Sequence, residues 1–118
     1  MAYTFKNIKV WDKAHKLVLE IYKATRNFPT EEKYGLIAQL RRSAAPIPTN
    51  IVEGYKRKSD KDFLHFLNIA DTSLEETKYH LLLSYDLNYL KKNEYERLLD
   101  LMDEVGKMLF GFQQKLKA

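Results

Sequence analysis

RRSAAPIPTNIVEGYKRKSDKDF, residues 41–63, is the stretch that decides how this chain folds. It contains two of the chain's three prolines, Pro46 and Pro48, and prolines often mark a loop. Apolar residues nevertheless recur through it every three or four positions, and the spacing keeps its helical phase across both prolines. This stripe consists of Tyr34, Ile37, Leu40, Ala44, Ile47, Ile51 and Tyr55. A loop has no reason to keep such a phase, so residues 41–56 are predicted to be the second half of one helix.

Helical spacing of apolar residues extends to both sides of this stretch and predicts four helices joined by short connections. The predicted ranges are 8–27, 31–56, 60–90 and 94–116. The expected N-terminal caps, in the same order, are Asn7, Thr30, Ser59 and Asn93. The fold class is therefore all-α, with one domain over residues 1–118 that forms an antiparallel up-down-up-down four-helix bundle.

The composition narrows the class of protein. The chain has 118 residues, of which 45% are hydrophobic, which suits one compact domain. The absence of cysteine excludes disulfides, thiol catalysis and cysteine-based zinc sites. The N-terminus lacks the uninterrupted apolar core of a signal peptide, and the most apolar run, residues 81–90, is about half a membrane span. These features lead us to expect a cytoplasmic protein that needs no cofactor.

Two of the predicted helices carry more apolar surface than one core requires. Between residues 79 and 90 apolar side chains surround nearly the whole helix, and a helix that is apolar all round is normally buried all round. The candidate oligomer-interface residues are Tyr79, Leu82, Leu83, Leu101, Met108 and Phe110. Patches of this kind favour self-association, and the alternative is that long Lys and Arg stems cover them within one chain.

Catalytic motifs are not recognisable in the sequence. It contains no G-x-S-x-G, no phosphate-binding Gly-rich loop and no H-E-x-x-H. The three histidines do not form the paired Glu-x-x-His pattern of bundle metal sites, so no metal site is expected. We therefore expect a protein that is not an enzyme.

The stretch from Arg41 to Lys61 concentrates positive charge. The stretch contains six cations and only two acids, Glu53 and Asp60. This excess of four positive charges equals the net charge of +4 of the whole chain. The candidate residues for binding nucleic acid or a partner are Arg41, Arg42, Asn50, Glu53, Lys56, Arg57, Lys58 and Lys61. Helical spacing places Arg42, Glu53 and Arg57 on one side, where they could hydrogen-bond a phosphate or a partner chain. The alternative is that Glu53 pairs with Arg57 as an ordinary i,i+4 ion pair and Arg42 is merely solvated.

Aromatic residues interleaved with cations, the pattern typical of single-strand binding, are nearly absent from this basic stretch. Tyr55, which precedes Lys56, Arg57 and Lys58, comes nearest to it.

Six short motifs extend along nearly the whole chain. They are K-V-W at 9–11, F-P-x-E-E at 28–32, Y-G-L at 34–36, Q-L-R-R-S-A at 39–44, I-P-x-N-I-x-E-G-Y at 47–55 and F-L-x-I-A at 66–70. Together they resemble the four-helix-bundle family of proteins encoded within 23S rRNA intervening sequences.

The resemblance implies an antiparallel four-helix bundle that assembles as a homopentamer, in a family whose members mostly have no established activity. A related branch, the accessory protein of diversity-generating retroelements, is a basic pentamer that binds nucleic acid and a reverse transcriptase. Residues on the family's motif positions are Arg41, Arg42, Asn50, Glu53, Gly54 and Arg57. Pro46 departs from the family, which usually has a small residue there, so we expect the second helix to bend near residues 43–46.

Two functions follow as hypotheses. In the first, a non-enzymatic homo-oligomer binds RNA or DNA through the basic surface between Arg41 and Lys61, as an accessory to a nucleic-acid process. In the second, the chain is a protein-interaction scaffold, in which Arg42, Asn50, Glu53 and Arg57 tie subunits together or hold a protein partner such as a reverse transcriptase.

Overall fold

The structure is a computed structural model of the chain that describes residues 3–118. It is a helical bundle with extents of 44 × 25 × 21 Å, and none of the described residues lies in a strand. The helices are α1 (Lys9–Thr25), α2 (Leu36–Ala44), α3 (Pro46–Tyr55), α4 (Asp60–Asp86) and α5 (Lys92–Lys117). Two short 3-10 turns occur at Phe5–Asn7 and Thr30–Glu32. The all-helical fold class predicted from the sequence is confirmed.

The second predicted helix is divided into α2 and α3 at Ala45. Pro46 and Pro48 have no N–H to donate, so two carbonyls of the preceding turn lack their helical partners. Ala45 itself keeps right-handed helical dihedrals, with φ −58° and ψ −37°. Its N–H donates to the Arg41 carbonyl over 3.2 Å, and its carbonyl accepts from Thr49 over 3.3 Å. The apolar phase therefore continues across the prolines as predicted, although the hydrogen-bond ladder is interrupted.

The start of α2 lies later than predicted. Thr30 does not cap it, since residues 30–32 form a 3-10 turn and the helix begins at Leu36. The Leu36 N–H instead donates over 3.1 Å to the carboxylate of Glu32. Asn7 likewise does not cap α1: its side-chain oxygen accepts from the Thr4 N–H over 2.9 Å within the first 3-10 turn.

The third predicted helix ends at Asp86 and not at residue 90. Asn88 takes up a left-handed conformation with φ 67°, which asparagine tolerates better than most residues. The Tyr89 N–H donates to the Ser84 carbonyl and the Asn88 N–H to the Tyr85 carbonyl, both over 2.9 Å. This pair of bonds is a Schellman motif, which ends the helix without a glycine.

The N-termini of the last two helices differ in how well they were predicted. Ser59 caps α4 as expected and accepts from the Asp62 N–H over 3.1 Å. The helix α5 begins at Lys92, before the predicted cap at Asn93. Its first turn is tied instead by Glu94, whose carboxylate accepts from the Lys91 N–H over 3.3 Å.

The core lies between α4 and the other helices, and α3 packs most extensively on α4. Its largest fully buried side chains are Leu17, Ile21, Leu40, Ile47, Ile51, Leu67, Leu74, Leu81, Leu98, Met102 and Leu109. Gly54 allows the close approach of α3 to α4, because a Cβ there would lie 2.7 Å from the Phe63 ring and 2.9 Å from Phe66. One buried polar contact joins α2 to α4, where the hydroxyls of Ser43 and Thr77 are 2.9 Å apart.

Polar contacts join α5 to its neighbours. Lys13 and Glu20 of α1 meet Glu104 and Arg97 of α5, at 2.9 and 2.7 Å respectively. Asn68 accepts from Gln113 over 2.7 Å, and Lys78 lies 3.5 Å from Asp103, so α4 is tied to α5 in the same way. Among residues 3–118, no helix has both the length and the apolar character needed to cross a lipid bilayer.

Candidate functional site

Arg41 points from α2 toward the last turn of α1. Its Nε donates to the Thr25 hydroxyl over 3.0 Å and its terminal nitrogen donates to the Tyr22 carbonyl over 3.4 Å. The guanidinium also lies 4.5 Å from the centre of the Tyr22 ring, a cation–π contact. A cation at the C-terminal end of a helix is favoured by the helix dipole. Arg41 therefore ties α2 to α1.

Arg42, the next residue, lies on the outer side of the bundle and is exposed. Within the part of the chain that the structure describes, no carboxylate forms an ion pair with it. Asn50 is half-buried, and its side-chain amide donates to the Pro46 carbonyl over 2.7 Å. Of these two candidates, Arg42 has no ion-pair partner among residues 3–118, whereas one donor of Asn50 is used within α3.

Glu53 and Arg57 form the i,i+4 ion pair that the spacing allows, with 3.5 Å between Oε2 of Glu53 and a terminal nitrogen of Arg57. The Arg57 guanidinium also stacks over the Phe66 ring at 4.5 Å from its centre. Both charged side chains remain about half exposed, at 52% and 46%. They border a shallow groove whose other lining residues are Thr49, Val52 and Lys56. The ion pair and the cation–π contact place the Arg57 guanidinium at the rim of this groove.

Lys56, Lys58 and Lys61 lie at the connection between α3 and α4, and all three are exposed. None has an ion-pair partner among residues 3–118. Lys61 belongs to the first turn of α4, where the helix dipole disfavours a cation. The folded chain thus leaves three neighbouring lysines without a carboxylate partner among the described residues.

The candidate interface residues divide into two groups. Tyr79, Leu82 and Phe110 are exposed, with 59%, 42% and 63% of their surface accessible. The other three are partly buried against the core, namely Leu83, Leu101 and Met108. Two exposed leucines were missed from the sequence, Leu19 at 55% and Leu87 at 46%. Leu87 belongs to the apolar run 79–90 but was not among the candidate interface residues, and it lies just beyond the end of α4.

Glu32 and Tyr89 form a contact that the sequence did not reveal. The Tyr89 hydroxyl donates to Oε2 of Glu32 over 2.8 Å, and Oε1 of the same carboxylate accepts from the start of α2. This hydrogen bond, followed by desolvation and the Glu32 charge, raises the pKa of Tyr89. The pair joins the segment before α2 to the connection between α4 and α5. A separation of 57 residues left no local signal by which to find it.

The histidines are engaged separately. His15 stacks on Trp11 with 5.0 Å between ring centres, His65 meets Phe66 edge-on, and His80 lies 3.4 Å from Glu76. Over the described range 3–118, no three His, Asp or Glu side chains come together in a way that could hold a metal ion.

Comparison with known proteins identifies a matching family and a similar solved structure. The model of the 23S rRNA-intervening sequence protein family matches residues 6–111. A similar solved structure is the crystal structure of a protein with unknown function from the S23 ribosomal protein family of Bacteroides thetaiotaomicron VPI-5482. The two chains share 30% sequence identity and superpose with a TM-score of 0.78, over 86% of this chain and 95% of that one. No curated protein matches the chain.

Proposed function

The chain belongs to the 23S rRNA-intervening sequence protein family, and from this premise we propose that it is a non-enzymatic bundle protein that binds RNA or DNA. The observation that carries the proposal is the cluster of exposed cations in the stretch from Arg41 to Lys61 that have no carboxylate partner in residues 3–118, namely Arg42, Lys56, Lys58 and Lys61. A polyanion supplies the counter-charges that these four side chains lack.

The contacts of the other candidates support different roles for them. Arg57 is held by Glu53 and Phe66 at the groove rim, where its half-exposed guanidinium can still reach a phosphate. Arg41 acts within the bundle through Thr25 and Tyr22, so it supports the surface without touching the ligand. Lysines bind phosphates as point charges, and the proposed binding is therefore strongly salt-dependent and weakly sequence-specific.

The test is a titration with structured RNA and with duplex DNA at two salt concentrations. Replacing Lys56, Lys58 and Lys61 together by Gln is expected to weaken binding to both ligands. On duplex DNA the salt slope should fall by about 0.9 for each phosphate that the variant no longer neutralises. The control replaces three lysines at the other end of the bundle, Lys33, Lys91 and Lys92, by Gln, which removes the same charge. Absence of binding at low salt, or equal weakening by both triple variants, would reject the proposal.

For the architecture, we propose the antiparallel up-down-up-down arrangement. The surface pairs that join α1 to α5 support it: Lys13 meets Glu104, and Glu20, further along α1, meets Arg97, which comes earlier in α5. Residue numbers therefore rise in one helix as they fall in the other. The pairs from α4 to α5 follow the same rule. Asn68 meets Gln113, whereas Lys78 meets Asp103.

For the assembly and location, we propose a cytoplasmic homo-oligomer, a homopentamer by family resemblance. Exposed Tyr79, Leu82 and Phe110 support self-association, because a small domain rarely leaves large apolar side chains of several helices in water. The partly buried Leu83, Leu101 and Met108 lie beside the core and would contribute mainly through the edges that remain accessible.

A second candidate function is a protein-interaction scaffold without nucleic acid, and the exposed apolar residues favour it. In this case Arg42 and Arg57 contact another subunit or a protein partner such as a reverse transcriptase. Replacing both arginines by Ala separates the two functions in a sizing experiment. Loss of the oligomer assigns these residues to an interface, whereas an intact oligomer that no longer binds nucleic acid assigns them to the ligand surface.

A further inference from the structure

The connection between α3 and α4 lies at one end of the bundle. The first described residues and the last turns of α5 lie at the same end. The Tyr55 hydroxyl donates to the Tyr3 carbonyl over 3.2 Å, and the two rings lie 5.9 Å apart. On the other side, Phe63 of α4 packs against Phe112 of α5 with 5.1 Å between ring centres. The lysines near the N-terminus and at the end of α5 are therefore neighbours of Lys56, Lys58 and Lys61.

Positive charge is concentrated at this end, which we call the basic end. Its eight cations are Lys6, Lys9, Lys56, Arg57, Lys58, Lys61, Lys115 and Lys117, and its three acids are Glu53, Asp60 and Asp62. The opposite end carries four cations, Arg26, Lys33, Lys91 and Lys92, against five acids, Glu31, Glu32, Asp86, Glu94 and Glu96. The remaining eight cations and eight acids balance along the sides of the bundle. The basic end therefore carries a charge of +5 and the opposite end a charge of −1, which together give the net charge of +4.

Aromatic side chains accompany the cations there. Tyr3 is 64% exposed and lies tilted against Tyr55, and the Lys56 ammonium is 5.8 Å from the centre of the Tyr55 ring. A groove runs from Tyr3 along the start of α1 to the end of α5, where Lys9 and Lys115 are among its lining residues. Folding therefore builds the combination of aromatic faces and cations that the basic stretch 41–63 lacks by itself.

We propose that the basic end binds single-stranded nucleic acid, with a base stacked on Tyr3 and phosphates held by Lys9 and Lys115 as well as by the lysines after α3. This rests on the proposed function and specifies its ligand. An exposed aromatic ring can stack on an unpaired base, whereas the bases of a duplex are already stacked on each other. A groove with cations on both walls can follow a single sugar-phosphate backbone.

The test compares single-stranded oligonucleotides of about 12 nucleotides, oligo-U RNA and oligo-dT DNA, with a duplex of equal length. The unmodified chain is expected to bind the single strands more tightly than the duplex. Tyr3→Ala is expected to weaken single-strand binding by about five-fold or more, the loss typical of one base–aromatic stack, and Tyr3→Phe should bind normally because it keeps the ring. Equal affinity of the unmodified chain for single strands and duplex would overturn the inference.

Tyr34→Ala is the matched control. Tyr34 is also exposed, at 86%, and also has a lysine ammonium over its ring, that of Lys33 at 5.5 Å, but it lies at the opposite end. Its replacement should leave binding unchanged, and equal losses for Tyr3→Ala and Tyr34→Ala would overturn the inference. Circular dichroism of each variant checks that the fold is retained.

Replacing Lys9 and Lys115 by Gln extends the test to the groove. Since the salt slope on single strands falls by about 0.7 for each phosphate that is no longer neutralised, the double variant should lower the slope by about 1.4. If the Lys9 and Lys115 double variant and Tyr3→Ala both bind normally, while the triple variant of Lys56, Lys58 and Lys61 binds weakly, the inference fails and the proposed function stands. Absence of binding to every oligonucleotide at low salt would defeat both.

Discussion

Arg41 and Arg42 are neighbours in the chain, but about 100° of helical rotation directs them to different surroundings. Arg41 hydrogen-bonds to the last turn of α1, whereas Arg42 faces solvent. Both occur in one motif, and both looked equally suited to bind a ligand. At the residue scale, the contacts of each side chain show which arginine is engaged within the bundle and which one remains exposed.

Arg41→Ala is expected to lower the free energy of unfolding by about 1–2 kcal/mol, because it removes two hydrogen bonds and a cation–π contact. Arg42→Ala should change stability by less than about 0.5 kcal/mol, as is usual for exposed positions. The measurement is urea unfolding of both variants followed by circular dichroism. Equal losses for the two would contradict the assignment of Arg41 to the α1–α2 contact.

The hydrogen bond between Tyr89 and Glu32 predicts how the stability of the fold depends on pH. The pKa of Tyr89 is raised in the folded chain by the hydrogen bond to Glu32, whereas in the unfolded chain Tyr89 should titrate near the ordinary value of about 10. The stability that this hydrogen bond contributes is therefore fully present below about pH 10. It is lost as the pH rises through the higher pKa that Tyr89 has in the folded chain. Tyr89→Phe should be less stable than the unmodified chain at neutral pH, and this difference should shrink in alkaline solution.

Urea unfolding at neutral pH and above about pH 10 measures this difference. Tyr34→Phe serves as the control, because the Tyr34 hydroxyl has no hydrogen-bond partner among the described residues. A difference between Tyr89→Phe and the unmodified chain that stays constant with pH would show that the Glu32 contact does not control the titration.

At the scale of elements, two glycines in helices have opposite packing environments. Gly54 lies where α3 and α4 pack tightly, and an added Cβ would overlap Phe63 and Phe66. Gly111 is exposed in α5, and an added Cβ would meet nothing within 4 Å. Helix propensity favours alanine at both positions, so any difference between the two substitutions reports the packing of α3 on α4.

Gly54→Ala is expected to destabilise the chain by about 1–3 kcal/mol, since overpacking outweighs the gain in helix propensity. Gly111→Ala should stabilise it by about 0.5–1 kcal/mol, because there only the propensity changes. Thermal unfolding of both variants tests the pair. A stabilising Gly54→Ala would mean that α3 can move away from α4 at little cost.

At the scale of the whole molecule, the exposed apolar residues predict how copies associate. Leu82→Glu combined with Phe110→Glu should prevent self-association, because each would place a charge in a desolvated interface. Light scattering should then give the mass of one chain, 14.0 kDa, for this variant and a multiple of it for the unmodified chain. Tyr34→Glu, at another exposed aromatic position, should keep the larger mass. A monomeric unmodified chain would refute the proposed oligomer.

The family, the all-helical class and the single apolar phase through Pro46 and Pro48 could all be predicted from the sequence. They depend on patterns that repeat along the chain. Because many residues contribute to each pattern, an exception at one position does not change the prediction. Individual helix ends were harder to predict, because each depends on a few competing hydrogen bonds. Ser59 was predicted correctly, whereas the left-handed Asn88 ended α4 earlier than its apolar run suggested.

By itself, then, the sequence determined the all-helical class, the apolar phase that continues through Pro46 and Pro48, and the concentration of cations between Arg41 and Lys61. Only the tertiary structure decided which of those cations are already engaged, and it brought Tyr3 to Tyr55 and Glu32 to Tyr89 across 52 and 57 residues. The physical reason is the range of the interactions. Helical periodicity is a property of neighbours within a turn or two, whereas the surroundings of a side chain depend on residues that only folding brings together.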